Sequence, residues 1–114
     1  MFVTKFRYQV LSPNILEFIK TTIPEIAKSI NIEIDQINGQ SDHIHFIMRL
    51  TPQDKICNIV SILKSKSASL IHDKFDLSKF YWEQHKRTLW SSGYFVCTTG
   101  GAPIEIIKKY IENQ

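Results

Sequence analysis

Two histidines are the residues of this chain whose type and spacing most clearly suggest chemistry. His43 and His45 are one residue apart in the stretch SDHIHFIMRL, residues 41–50. If this stretch is a β-strand, both imidazoles point to the same face, about 6.6 Å apart along the strand. Two imidazoles placed in this way can converge on one metal ion, although two solvated surface histidines would give the same pattern.

The last residues of the sequence supply a candidate nucleophile and a candidate third ligand. Tyr110 and Gln114 are four residues apart in PIEIIKKYIENQ, so on a helix one side chain lies above the other. Both fall on the apolar side of the helical projection, beside Ile106 and Ile107. A core tyrosine would occupy the same place as a reactive one, whereas a buried glutamine amide needs a polar partner.

The elements that must position these residues follow from hydrophobic periodicity. Residues 2–10 alternate, which predicts a half-buried strand. One face of that strand would hold Phe2, Thr4, Phe6, Tyr8 and Val10. A helix should begin at Ser12-Pro13 and run to about residue 30, with Pro24 kinking or splitting it. A second strand is expected over residues 32–37.

A turn at Gly39 should lead into the strand that carries the histidines. Its core face is expected to comprise Ile44, Phe46, Met48 and Leu50. The opposite face, which comprises His43, His45, Ile47 and Arg49, is too polar for a core face. The next helix is expected to begin at Thr51-Pro52, with an apolar stripe that recurs every 3.6 residues and comprises Ile56, Ile59, Val60, Leu63, Leu70 and Ile71.

The segment LWSSGYFVCTTGG, residues 89–101, predicts a fourth strand that the glycine pair ends, and a last helix follows from Pro103. The element order β-α-β-β-α-β-α favours a ferredoxin-like (RRM-like) α+β fold. Its antiparallel sheet has helices on one face, plus the C-terminal helix. We expect one domain over residues 1–114, with the histidines on the sheet face away from the core helices.

Composition sets broad limits on the function. The chain has 114 residues, 43% of them hydrophobic, and a net charge of +3, which permits a nucleic-acid partner without requiring one. Cys57 and Cys97 lack metal-type spacing and are expected to be reduced thiols. No apolar run suits a signal peptide or a membrane span, so a cytoplasmic location without a membrane partner is expected.

The motifs together resemble a known family. The stretch DHIHFIMRL resembles the HUH motif (His, bulky apolar, His) of the single-tyrosine transposases of small bacterial and archaeal insertion sequences, the IS200-like type. VTKFRYQVLS resembles the first strand of that family. LWSSGYFVCTTGGAPIEIIKKYIENQ resembles its final strand, glycine pair and catalytic helix. The resemblance covers nearly the whole chain.

The resemblance implies a role for each matching residue. His43 and His45 match the metal-binding histidines, Tyr110 the nucleophile, and Gln114 the glutamine that completes the metal site. It further implies that single-stranded DNA is cut and rejoined through a 5′-phosphotyrosine, that DNA hairpins at the element ends are recognised, and that the protein is a homodimer. Imidazole ligands alone favour Mn²⁺ or Zn²⁺, and the resemblance implies Mg²⁺ or Mn²⁺, which is the expectation adopted.

Two departures from the family pattern leave other functions open. The first strand is short before the VTK segment, and Gln114, as the last residue, would be a poor ligand if it frays. One alternative is a non-catalytic or decayed module that binds single-stranded nucleic acid. Another is a metal-dependent phosphodiesterase that uses water, with Tyr110 merely packed.

Basic and aromatic residues suggest where DNA would lie. Phosphate contacts are expected from Lys5, Arg7, Lys64, Lys66, Lys86 and Arg87. Tyr81 and Trp82 could stack on unpaired bases, whereas Trp90 is expected in the core. For any one of these charged residues, plain solvated surface is the commoner explanation.

Overall fold

A computed structural model describes residues 1–77 and 89–94. Its elements, in order, are β1 (Phe2–Val3), a 3-10 turn (Lys5–Arg7), α1 (Pro13–Ser29), β2 (Glu33–Gln40), β3 (His43–Arg49) and α2 (Ile56–Lys74). The strands form an antiparallel sheet in the order β1-β3-β2. The predicted α+β fold is confirmed, while residues 95–101 of the predicted fourth strand and the whole C-terminal helix lie outside the described residues.

Helices α1 and α2 pack against each other, and one hydrophobic core joins them to the sheet. Ile19 and Ile23 of α1, Leu63 and Ile71 of α2, and Ile44 of β3 are all completely buried. Because Ile44 lies between the two histidines in sequence, its burial places both imidazoles on the opposite face of β3.

Helix α1 begins as the sequence predicts. The Ser12 side chain accepts a hydrogen bond from the Ile15 amide at 3.3 Å, and Pro13 is the first helical residue. The expected split at Pro24 is wrong, because α1 continues through Pro24 to Ser29. Burial of the residues on either side, such as Ile23 and Ala27, offsets the one backbone hydrogen bond that a proline removes.

The predicted strand over residues 2–10 is wrong beyond Thr4. The backbone turns left-handed at Phe6 and Arg7, with φ of 62° and 53°, which ends the extended conformation. Phe6 and Tyr8 are therefore 52% and 36% exposed instead of buried with Phe2.

The β2–β3 hairpin turns at Ser41 and Asp42, not at Gly39 as predicted. Gly39 instead lies within β2, paired with Ile44. A Cβ atom at Gly39 would lie 2.5 Å from the His43 carbonyl oxygen, so glycine is required by a close approach of the two strands and not by a turn.

Helix α2 begins at Ile56, five residues later than Thr51. The Thr51 amide donates a hydrogen bond to Asp54 Oδ2 at 2.7 Å, which closes a turn before the helix. Leu70, predicted in the apolar stripe, is 41% exposed, whereas Trp90 is buried as predicted. Neither helix described is both long and apolar enough to cross a membrane.

Candidate active site

The two histidine side chains of β3 lie next to each other on the face opposite Ile44. Their ring centroids are 5.5 Å apart and the ring planes make an angle of 69°. The Nε2 atom of His45 is buried. The alternation expected from the sequence therefore brings the pair together, within one protomer, on one side of the sheet.

The separation of the two rings fits a shared metal ion. With a metal–nitrogen bond of about 2.1 Å, two imidazoles on one ion have centroids about 5.3 Å apart at a tetrahedral angle and about 4.6 Å apart at the right angle of an octahedral site. The observed separation of 5.5 Å is close to the tetrahedral value, and an octahedral ion such as Mg²⁺ or Mn²⁺ would bring the rings about 1 Å closer. The donor set fits as well, since neutral imidazole is a common ligand of divalent transition metals.

Asp42 determines which nitrogen of His43 is available to a ligand. Its Oδ1 atom lies 2.8 Å from His43 Nδ1. A carboxylate accepts hydrogen bonds, so the proton of a neutral His43 ring belongs on Nδ1, and Nε2 carries the lone pair. The carboxylate of Asp42 therefore orients the His43 ring.

Arg7 holds the same carboxylate from the other side. Its Nε and Nη2 atoms both lie 3.2 Å from Asp42 Oδ2. The hydrogen bond to His43, together with the hydrogen bond and charge of Arg7, holds the pKa of Asp42 below its usual range, although partial burial opposes this. Asp42 therefore stays ionised while it orients His43.

The backbone around Asp42 is fixed by the segment that follows β1. The Thr4 amide donates to the Asp42 carbonyl oxygen at 2.9 Å, and the Leu11 amide donates to the Ser41 carbonyl oxygen at 2.9 Å. Thr4 itself is completely buried, and its hydroxyl donates to the Tyr8 carbonyl oxygen at 2.7 Å. These contacts attach the hairpin turn, and with it His43, to residues 4–11.

The histidine face is more buried than its sequence suggests. The side chain of His43 is 13% exposed. Ile47, on the same face, is 8% exposed, and Val3, which pairs with His43, is 7% exposed. Neither Val3 nor Ile47 belongs to the main core. This face is therefore separate from the main core, as the sequence predicts, yet it is largely buried at Ile47. Shielding from water strengthens electrostatic interactions beside the histidines.

The remaining catalytic candidates, Tyr110 and Gln114, lie outside the described residues. Within residues 1–77 and 89–94, no group of three histidine, cysteine or acidic side chains could hold a metal ion. The described residues therefore offer two candidate ligands, and a site with three would need one from outside them.

The predicted DNA contacts fall into different structural settings. Lys66 is exposed on α2, while Lys5 and Arg7 lie in the turn after β1, and Lys86 and Arg87 lie outside the described residues. Tyr81 and Trp82 are also outside them.

Lys64 is directed into the protein. Its ammonium group donates to the carbonyl oxygens of Ser91 at 2.7 Å and Gly93 at 2.6 Å. Burial lowers the pKa of Lys64. This geometry favours an anchoring role for Lys64, which ties α2 to residues 89–94, over a contact with a DNA phosphate.

Several side-chain contacts of the structure could not be predicted from the sequence. The Arg7–Asp42 pair joins residues that are far apart in the chain, and two left-handed residues that are not glycine create it. Ser67, completely buried, accepts a hydrogen bond from the Trp90 indole at 2.9 Å. Cys57 is a free thiol, as predicted, 3.3 Å from the Tyr94 hydroxyl, and Cys97 lies outside the described residues.

Comparison with known proteins identifies the family. The family model described as "Transposase IS200 like" matches residues 1–114. The ISDra2 transposase TnpA of Deinococcus radiodurans is 30% identical over 111 residues, which cover 96% of this chain and 77% of the relative. The transposase for insertion sequence element IS200 of Salmonella typhimurium is 25% identical over 114 residues, which cover all of this chain and 73% of the relative.

A solved structure agrees with this assignment. The crystal structure of a candidate transposase from Deinococcus radiodurans R1 superimposes with a TM-score of 0.77 at 31% sequence identity, and the match covers 99% of this chain and 85% of that one. The fold and the sequence thus lead to the same result. This chain belongs to the IS200-like transposase family, whose members are DNA-cutting enzymes of insertion sequences.

Proposed function

We propose that this transposase cuts and rejoins single-stranded DNA at the ends of its insertion sequence through a 5′-phosphotyrosine on Tyr110. His43, His45 and Gln114 would hold one divalent cation, Mg²⁺ or Mn²⁺, beside the phosphate to be cut. The observation that most supports the proposal is the histidine pair itself. Its rings are 5.5 Å apart, and a carboxylate 2.8 Å from Nδ1 leaves Nε2 of His43 for a ligand.

The negative charge of a phosphodiester repels a nucleophile. The cation would offset that charge and polarise the P–O bonds. The protein's own groups supply the rest. The Tyr110 oxygen, once its proton is lost, attacks phosphorus, and the bond from phosphorus to the 3′ oxygen breaks. The leaving 3′ oxygen takes up a proton, and the 5′ phosphate stays on the tyrosine.

Rejoining reverses the exchange on a new strand. A free 3′-hydroxyl attacks the phosphotyrosine, the phosphodiester forms again, and Tyr110 regains its proton. One ester replaces another at each step, so no nucleoside triphosphate is consumed. This explains why a tyrosine, rather than water, is the expected nucleophile of an enzyme that both cuts and joins.

We further infer that the protein acts as a homodimer on DNA that carries hairpins near the element ends. Sheet edges are the expected dimer contact. Residues 89–91 already cover the outer side of β1: Thr4 and Trp90 form a bridge, and the Ser91 amide donates to the Val3 carbonyl oxygen at 2.8 Å. Of the two edge strands in the described sheet, β2 is therefore the better candidate for pairing with a second subunit.

Cleavage of labelled DNA tests the proposal. The protein is incubated with single-stranded DNA from the genomic flanks of its gene, with and without Mg²⁺ or Mn²⁺. We expect cation-dependent nicking, absent with double-stranded DNA of the same sequence. We expect His43→Ala and His45→Ala to abolish nicking while circular dichroism shows a folded protein.

The alternatives give different results in the same assay. Binding without any cut product would support a non-catalytic module. Cut ends that carry no protein would support a phosphodiesterase that uses water. Either result would contradict the proposed reaction.

A further inference from the structure

Two aromatic side chains in the turn after β1 are exposed on the surface of the protein. We name residues 5–8 the aromatic turn. Its rings, Phe6 and Tyr8, are 52% and 36% exposed, and Leu70 is the only other large hydrophobic residue this exposed in the described part of the chain. Exposed aromatic side chains that lie together are a common feature of binding surfaces.

The backbone of the aromatic turn is held in a costly conformation. Phe6 and Arg7 both have positive φ, a region in which each non-glycine residue is strained by about 1–3 kcal/mol. Hydrogen bonds hold the turn in place: the Arg7 amide donates to the Thr4 carbonyl oxygen at 2.9 Å, and the Lys5 amide donates to the Leu89 carbonyl oxygen at 2.8 Å. Such strain is found most often at functional sites.

The chemistry of the turn suits single-stranded nucleic acid. The centroids of Phe6 and Tyr8 are 5.4 Å apart with an angle of 50° between the rings, so the two rings form a tilted pair. The ammonium of Lys5 lies 5.6 Å from the Phe6 centroid, and the side chain of Arg7 is 66% exposed. Aromatic faces beside positive charge are what binds unpaired bases and the phosphates between them.

The aromatic turn is also directly connected to the histidine pair. Arg7 contacts the carboxylate of Asp42, which contacts His43, and the Thr4 hydroxyl links the Tyr8 and Asp42 carbonyl oxygens at 2.7 and 3.2 Å. DNA with a phosphate at the histidines would therefore have its neighbouring nucleotides within reach of this turn.

We propose that Phe6 and Tyr8 form a stacking surface for an unpaired base of the single strand that flanks the cut phosphate. Lys5 and Arg7 would contact the adjoining phosphates. The inference rests on the proposed function, because it takes single-stranded DNA as the ligand. It adds a base-binding surface outside the metal and tyrosine site.

Binding of a fluorescent oligonucleotide tests this surface. The probe is single-stranded DNA from the genomic flanks, with 2-aminopurine at one position at a time. In the wild-type protein we expect quenching at a base near the cut site. Phe6→Asn keeps a residue that tolerates positive φ and removes the ring. Phe6→Asn and Tyr8→Ala should each raise Kd about 5- to 150-fold, the range for loss of one base–aromatic stack, and abolish the quenching.

Two control variants distinguish the loss of base stacking from a general effect of substitution on the fold. Leu70→Ala removes an equally exposed side chain from α2 and should leave Kd unchanged. Tyr8→Phe keeps the ring and should bind as the wild type does. If Phe6→Asn and Tyr8→Ala both bind the probe within about twofold of wild type, the inference is wrong, since the loss of a stack costs more than this.

Two other results would also overturn the inference, and they are distinguishable from failure of the proposed function. A change in oligomeric state with unchanged Kd would make the turn a subunit contact. Equal loss of affinity for double-stranded DNA would mean that no unpaired base is involved. Failure of the proposed function would show instead as absence of nicking by the wild-type protein, whatever the variants at Phe6 and Tyr8 do.

Discussion

Asp42 Oδ1 lies 2.8 Å from His43 Nδ1, while Arg7 holds the other oxygen of the same carboxylate. This relationship couples the segment after β1 to the histidine that begins β3. It assigns the proton of a neutral His43 ring to Nδ1 and leaves the lone pair of Nε2 for the proposed cation. The position of one imidazole therefore depends on a residue near the start of the chain.

Asp42→Asn should weaken cation binding without unfolding the protein. The amide retains an oxygen acceptor but loses the negative charge that makes His43 a better ligand. Loss of a carboxylate partner typically costs about 10- to 100-fold in metal affinity. Titration with Mn²⁺, followed by electron paramagnetic resonance, measures the change. Glu17→Gln removes an exposed carboxylate from α1 and serves as the control, and equal affinities for both variants would refute the role of Asp42.

Gly39→Ala should disturb the histidine strand. The added Cβ would lie 2.5 Å from the His43 carbonyl oxygen and 2.8 Å from Ile44 Cγ2, so β3 must shift. We expect the free energy of unfolding to fall by about 1–3 kcal/mol, measured by urea denaturation, with a parallel loss of nicking. Gly93→Ala has open space around its Cβ and should change neither property. A fully stable and active Gly39→Ala protein would contradict the described strand pairing.

Lys64→Met should lower the free energy of unfolding and leave the affinity for single-stranded DNA nearly unchanged. Two hydrogen bonds from the ammonium to carbonyl oxygens would be lost, and we expect a decrease of about 2 kcal/mol in the free energy of unfolding. The exposed Lys66→Met should cost less than about 0.5 kcal/mol. If Lys64 contacts a phosphate instead, Lys64→Met will reduce the salt dependence of single-strand binding by about 0.7 in the log–log slope.

Mixing two inactive variants tests the homodimer. Tyr110→Phe retains the histidines, and His43→Ala retains the tyrosine. If the tyrosine of one subunit serves the histidines of the other, a mixed dimer contains one complete site, and mixing should restore nicking. Sedimentation at micromolar concentration checks that dimers form. Dimers that exchange subunits yet remain inactive would place tyrosine and histidines of one site in the same chain.

The sequence predicted the site residues of β3 because strand alternation depends only on local pattern. Ile44 is buried and the neighbouring histidines share the other face, as expected. The left-handed turn at Phe6 could not be predicted, since neither Phe6 nor Arg7 favours positive φ. Long-range contacts with Asp42 and Leu89 hold it. The turn predicted at Gly39 was wrong for a related reason. The sequence alone does not distinguish a glycine needed for a turn from one needed for the close approach of two strands.

The residue that becomes covalently attached to DNA is the most direct test of the proposed reaction. The protein is incubated with single-stranded DNA from its genomic flanks and Mg²⁺ or Mn²⁺, then digested and analysed by mass spectrometry. We predict a nucleotide joined through its 5′ phosphate to the peptide that contains Tyr110. The adduct should be absent from Tyr110→Phe, which keeps the ring and loses only the hydroxyl. Nicking by Tyr110→Phe at the wild-type rate, or an adduct on another residue, would contradict the assignment.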